Sequence, residues 1–225
     1  MKHFISILFT IFFSFTLFAQ EDVTKFLGIP VDGYKNEMRR KLEAKGYTWN
    51  SYKECLEGEF NGTDVNISIV TNNNKVYRIF VQDAYPRSEA DIKIRFNRLC
   101  QQFEKNKKYS SLGDSQVIPE DEDISYEMSV HSKRYEAAYF QNPEQMDTLK
   151  MQAAMLEKMT NEIPAQELEN PTEETQQKIL RLTMEYAFEY LSNKQVWFMI
   201  DGSADRYRIL MYYDNKYNQA DGEDL

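Results

Sequence analysis

The stretch FLGIPVDGYKNEMRRKLEAKGY, residues 26–47, and its continuation to Val81 decide the fold. Asp32 stands where an N-cap acceptor is wanted, Tyr34, Met38 and Leu42 recur at four-residue spacing, and Gly46 follows a basic last turn. This is the pattern of one amphipathic helix with both ends marked. After it, Leu56, Gly58 and Phe60 alternate with polar residues up to Asn61-Gly62, the pair that best accepts the positive φ angles of a tight hairpin turn. Val65, Ile67 and Ile69 alternate on the return strand. Asn72, Asn73 and Asn74 make a second turn, and Tyr77, Ile79 and Val81 alternate before Asp83 and Pro86 stop the run. The unit is a helix followed by an antiparallel meander with one apolar face, which the helix covers.

Upstream, Lys2 and His3 precede an unbroken apolar run from Phe4 to Phe18, with Ala19 at a cleavage point and acidic residues at Glu21 and Asp22. Residues 1–19 thus have the form of a signal peptide, too short to be a spanning helix by preference. The expected mature chain is exported, periplasmic or extracellular, with no membrane span. Losing Lys2 takes the formal charge from −9 to −10. Such an acidic chain without a basic stripe repels phosphate backbones, so nucleic acid is not an expected partner. All fifteen tyrosines lie in the mature chain, a composition that suits strands with one wet face and also suits binding surfaces.

A second helix starts at Ser88, in a capping-box-like sequence, and carries Ile92, Phe96, Leu99 and Phe103 on one face. The acidic run Glu120 to Asp123 lacks the spaced oxygens and central glycine of a calcium loop and is expected to be a solvated loop. Tyr126, Met128 and Val130 alternate as a strand that pairs across Ser132 and Lys133 with a second strand from Tyr135 to Phe140. Residues 143–192 form two helices, the second opening at Asn170-Pro171-Thr172-Glu173 with Asn170 as cap. Its apolar side, Ile179, Leu182, Tyr186 and Phe188, is broad enough to predict burial. Two near-continuous apolar strands, Gln195 to Ile200 and Arg206 to Tyr213, close the chain, implying cover on both faces or a central place in the sheet.

The expected fold is therefore α+β, built from tandem helix-plus-meander units. Residues 20–86 form the first and 87–214 the second, with a helical hairpin inserted at about 143–192 and a flexible tail at 215–225. Joined, the two meanders make one curved antiparallel sheet of seven or eight strands with helices on one face and an open, concave face opposite. Two separate domains are the alternative. The opening FLGIPVDG, the Lys45-Gly46-Tyr47 helix end and the closing segment from Arg206 to Asn215 resemble uncharacterised exported proteins of Bacteroidota of the gut-commensal type. That resemblance implies export and no particular activity. The order of elements is also similar to the beta-lactamase-inhibitor-protein-like tandem repeat, whose relatives bind proteins in the cell envelope.

Cys55 and Cys100, in an exported chain, are either a disulfide tying helix to sheet, worth about 4 kcal/mol by chain entropy, or two buried thiols. The catalytic inventory is thin. His131 is the only histidine left after processing, no nucleophile motif surrounds it, and no phosphate-binding glycine loop is present. One histidine and two separated cysteines give no metal site and imply no cofactor. Thirty-six acidic residues make some carboxylate pair at glycosidase spacing unavoidable, so such a pair carries no signal in sequence. The leading expectation is a non-enzymatic envelope protein that binds another protein through the open sheet face, with Trp49, Tyr77, Trp197, Tyr207 and Tyr212 as the candidate binding surface. The alternative is a glycan-binding or glycan-hydrolysing protein, with an oligosaccharide stacked on those aromatic rings.

Overall fold

The structure, a computed structural model, describes residues 22–111, 113, 115–143 and 148–220. The expected signal peptide therefore lies outside the described residues. Two short strands, β1 (Lys25–Phe26) and β2 (Ile29–Pro30), form a small hairpin ahead of helix α1 (Lys35–Glu43), which buries Met38 and Leu42. The helix is capped at Tyr34 and not at Asp32: Gly33, at φ +81°, turns the chain between them, and the Asp32 carboxylate instead accepts from Asn218 Nδ2 at 2.8 Å.

The meander follows as β3 (Thr48–Asn50), β4 (Cys55–Phe60), β5 (Thr63–Asn72) and β6 (Lys75–Asp83). Asn61 and Gly62 have φ of 52° and 71°, and Asn73 and Asn74 have 46° and 62°, so both tight turns have two central residues in the left-handed region. Asparagine and glycine tolerate this conformation, and its twist matches that of the flanking strands. Helix α2 (Glu89–Lys105) opens as expected with the Ser88 hydroxyl accepting from the Asp91 amide, and it lays Ile92, Phe96, Leu99, Cys100 and Phe103 on the sheet.

The second unit departs from the sequence pattern at one element. After β7 (Tyr109–Ser110), residues 124–130 form helix α3 (Ile124–Val130), not a strand. The Asp123 carboxylate accepts from the Tyr126 amide as N-cap, and the helix buries Ile124 while Tyr126 and Val130 are exposed. Alternation over five residues was too short a signal to outweigh a cap. Strand β8 (Glu136–Gln141) consequently pairs with β7 and β9.

The inserted helices are α4 (Thr148–Glu162), the short α5 (Ala165–Glu169) and α6 (Glu173–Ser192). The cap of α6 is Thr172, one residue past the proline, whose hydroxyl accepts from the Thr175 amide. The expected burial of its broad apolar side is met only in part. Leu182 is buried and Ile179 and Tyr186 are half-buried, but Phe188 is 56% exposed, and the neighbouring Leu180 and Met184 are 60% and 64% exposed. The chain ends in β9 (Gln195–Ser203), β10 (Arg206–Asp214) and a 3-10 turn at Lys216–Asn218.

The eight strands order as β3-β4-β5-β6-β10-β9-β8-β7. The last strand of each unit, β6 and β10, meet antiparallel at the centre, Arg78 opposite Asp214 and Phe80 opposite Tyr212. Two meanders thus run outward from one seam, which makes one sheet of the two expected units. Helices α1, α2 and α3 cover the face that carries Ile67, Ile79, Ile209, Met211, Phe198 and Ile200. The expected tail is tied down where it leaves the sheet. Buried Asn215 donates its amide to Tyr77 O and its side chain to Val31 O, so residues 215–219 belong to the fold.

Candidate functional site

The site is built on the sheet face away from α1, α2 and α3. Side chains on a strand alternate between faces, so those flanking buried Ile79, Ile209, Met211, Tyr213, Val196 and Phe198 point the other way. Strand register then lines them into rows. Phe80, Tyr212 and Trp197 lie side by side across β6, β10 and β9, with Ala138 of β8 next. Trp197 stacks on Tyr212 with centroids 4.0 Å apart and planes 15° off parallel, and Tyr212 stacks on Phe80 at 5.1 Å and 26°. These spacings are close to the distance between neighbouring strands. The rings therefore stand upright on the sheet like books on a shelf, spending their faces on one another and turning their edges outward.

One end of the row is fixed by charge. Arg78 donates Nε and Nη2 to the two carboxylate oxygens of Asp214 at 2.6 and 2.8 Å, and Trp197 Nε1 donates to the same carboxylate at 3.0 Å. These bonds raise the Arg78 pKa above its ordinary value, and burial raises that of Tyr212. The guanidinium lies 4.8 Å from the Tyr212 ring centre, so one carboxylate positions both the indole and the cation beside the phenol. On the far side of Trp197 the row stops at the small Ala138, leaving the outer indole face open. There a cleft of about 670 Å³ lies between Trp197, Ala138 and Phe188 of α6, rimmed by Arg134, Glu136 and Gln116. Gln116 holds the edge of β8 by a two-way amide bond to Ala138, accepting from its N–H at 2.9 Å and donating to its carbonyl at 3.2 Å. The Arg134–Glu136 ion pair, at 2.9 Å, leaves that rim close to neutral.

Of the five aromatic residues expected on the binding surface, Trp197 and Tyr212 are brought together. Tyr77 sits at the bulge opposite Val70 and Thr71, its ring 5.9 Å from the Arg78 guanidinium at the margin of the same face. Tyr207 is a correction. It is buried on the helix side, its hydroxyl bonded to Ser125 Oγ at 2.7 Å, because β10 presents its odd-numbered residues to the core. Trp49 is a second correction: opposite Leu56 on the edge strand it faces the helix side, with the Arg39 guanidinium 5.3 Å from the ring. Phe80, Arg78 and Asp214 complete the site and were not singled out from sequence, and Phe188, expected to be buried, lines its cleft. The even-residue parity that Arg78 and Phe80 share in β6, and Tyr212 and Asp214 in β10, was the available signal.

The two cysteines are free and buried, so the disulfide alternative gives way to the thiol one. Cys55 Sγ faces Asn66 Oδ1 at 3.9 Å and Cys100 Sγ faces Gln116 O at 3.8 Å, on different strands and loops. Burial pushes the Cys100 thiol up to about 11 and raises that of Cys55, the reverse of an activated nucleophile. His131, at the end of α3, bonds Glu127 through Nδ1 at 2.9 Å. In the acidic run, Asp123 caps α3 while Glu122 accepts from Lys133 and Tyr135. Among the described residues no group of three histidine, cysteine or acidic side chains is placed to hold a metal ion, and no helix is long and apolar enough to cross a membrane. Compared with known proteins, the chain matches no family model, no curated protein and no solved structure.

Proposed function

We propose that the protein is an exported, non-enzymatic binding protein that grips another protein through the open sheet face and the adjoining flank of α6. One observation carries the reading: apolar side chains gathered on two sides of one cleft. Half-buried Phe80, Tyr212 and Trp197 stand in a row on one side, and exposed Phe188, Met184 and Leu180 of α6, one helical turn apart each, lie on the other. Aromatic rings at the centre with paired charges at the rim are the composition of protein interfaces. Export is supported by the N-terminal sequence through Ala19.

A second reading, glycan binding, draws on the outer face of Trp197. A single sugar ring fits against it in the cleft, beside Glu136, Arg134 and Gln195. The upright packing of Phe80 and Tyr212 weighs against a longer oligosaccharide platform, because stacking on a sugar needs ring faces and these rings present edges.

A photo-crosslinking residue at exposed position 184 of the mature protein, irradiated in its own cells, tests the proposal. A discrete adduct that disappears with Leu210→Glu on the open face and survives Lys45→Ala elsewhere is the expected result. No adduct above background, or an adduct indifferent to Leu210→Glu, overturns the protein-binding reading and directs the work to oligosaccharide titrations against Trp197→Ala.

A further inference from the structure

A different hollow lies on the helix side of the sheet, where the C-terminal half of α2 and the β4–β5 hairpin leave a gap. A slot of about 320 Å³ runs there over Phe60, Phe103, Tyr109, Met211 and Tyr213. Its lining includes a two-way amide clasp, Asn61 Nδ2 to Gln102 Oε1 at 2.7 Å and Gln102 Nε2 to Asn61 Oδ1 at 3.3 Å. The slot shares Phe60, Tyr109 and Tyr213 with a second hollow of about 510 Å³, which is bordered by Lys25, Lys107, Lys108 and Lys194. A slot with an aromatic and methionine floor therefore adjoins a hollow bordered by lysines.

Lys194 is matched there by Asp22, at 2.5 Å. Among the described residues Lys107 and Lys108 form no ion pair, although the whole chain carries nine more acidic than basic residues. Their backbone is held in place. Asn106 Oδ1 accepts from the Lys108 amide at 3.1 Å, and Asn142 bonds the carbonyls of Lys107 and Lys108 at 2.9 and 2.7 Å. Two cations with no counter-ion among the described residues are thus presented by a fixed loop beside the slot, in a chain of net negative charge.

We infer that this double hollow binds an anionic amphiphile, a carboxylate or phosphate head on a single apolar chain. The tail lies over Phe60, Phe103 and Met211, and the head sits between Lys107 and Lys108. A free anion would find no use for the slot, and a neutral apolar molecule none for the lysines; only a ligand with both parts uses both hollows. The slot's volume of about 320 Å³ suits a short or medium chain. The inference is independent of the open face, since none of its residues belongs to that site.

The test titrates the mature protein with decanoate, decyl phosphate, 1-decanol and acetate by calorimetry, following the Met211 methyl resonance by NMR. Saturable one-to-one binding of decanoate or decyl phosphate, at least tenfold tighter than decanol or acetate, with the Met211 methyl shifted, is the expected result. The tighter of the two anionic ligands identifies the head group. Lys107→Gln with Lys108→Gln, both exposed, should weaken that binding about fivefold or more, and Lys45→Gln, exposed and outside both hollows, should leave it unchanged. Equal affinity for decanol, an unmoved Met211 methyl, or full affinity in the lysine double variant overturns the inference.

Discussion

Replacing Asp214 with alanine should be among the most damaging single changes on the open face, and its cost can be worked from the geometry. The carboxylate is 8% exposed and receives three donors, two from Arg78 and one from Trp197. Breaking a buried ion pair from one side costs about 3–5 kcal/mol, because the other charge is stranded. The Arg78 side chain, however, is 26% exposed and regains part of its hydration, which brings this figure down to about 2 kcal/mol. Loss of the acceptor for the indole N–H adds about 1 kcal/mol. The expected total is about 3 kcal/mol, read from urea unfolding at neutral pH by tryptophan fluorescence and far-ultraviolet circular dichroism. Removing both charges together, Arg78→Met with Asp214→Leu, strands nothing and should cost about 1 kcal/mol or less. The difference should also persist in high salt, because the pair is shielded from solvent ions. If Asp214→Ala costs under about 1 kcal/mol, or if the double variant costs as much as the two single variants added, the carboxylate is not the clamp that positions Trp197 and Arg78.

Three further outcomes follow from the core. Gly58 has the Tyr47 ring over it, and a β-carbon there would sit 2.6 Å from Cδ1. Gly58→Ala should therefore cost about 1–3 kcal/mol by overpacking, and the penalty should vanish in a Tyr47→Ala background; an additive double variant would show that the ring is not the obstacle. Both thiols should resist alkylation in the native protein and react as two equivalents after unfolding without reductant, whereas no labelling until reductant is added would mean that they are bonded. Stability should fall at alkaline pH. Burial raises Cys100 from 9.0 to about 11 and raises Tyr139 and Tyr213 above 10.0, so the folded state keeps protons that the unfolded state releases. Their contribution is complete below about pH 9 and is lost as pH rises through 11 and beyond, and a urea midpoint unchanged from pH 8 to 11 would contradict this burial.

Much of the fold was legible locally. Turns at Asn61-Gly62 and Asn73-Asn74, the Ser88 cap and the four-residue spacing of Met38 and Leu42 depend on neighbours within a few residues, and all occur as the pattern implies. The tandem order of helix and strands was likewise enough to expect one sheet from two units, and the central place of β10 between β6 and β9 matches its near-continuous apolar run. Where local signals competed, the stronger hydrogen bond won. Asp123 made residues 124–130 a helix despite their alternation, and Thr172 took the cap that Asn170 was expected to hold. Phe188 was read as buried along with Ile179, Leu182 and Tyr186 because an apolar helix face has the same spacing whether it meets a core or solvent.

By itself, then, the sequence determined the class and most of the elements, since these arise from periodicity, capping and turn preference, and it left one sheet or two domains open until the β6–β10 pairing decided it. Tertiary structure alone decided which side of the sheet each aromatic faces. Trp197 and Tyr212 stand in the open row, while Tyr207 and Trp49 lie on the helix side. Moving a strand by one residue exchanges its two faces, and the register that prevents this is set by Arg78 and Asp214, 136 residues apart in the chain.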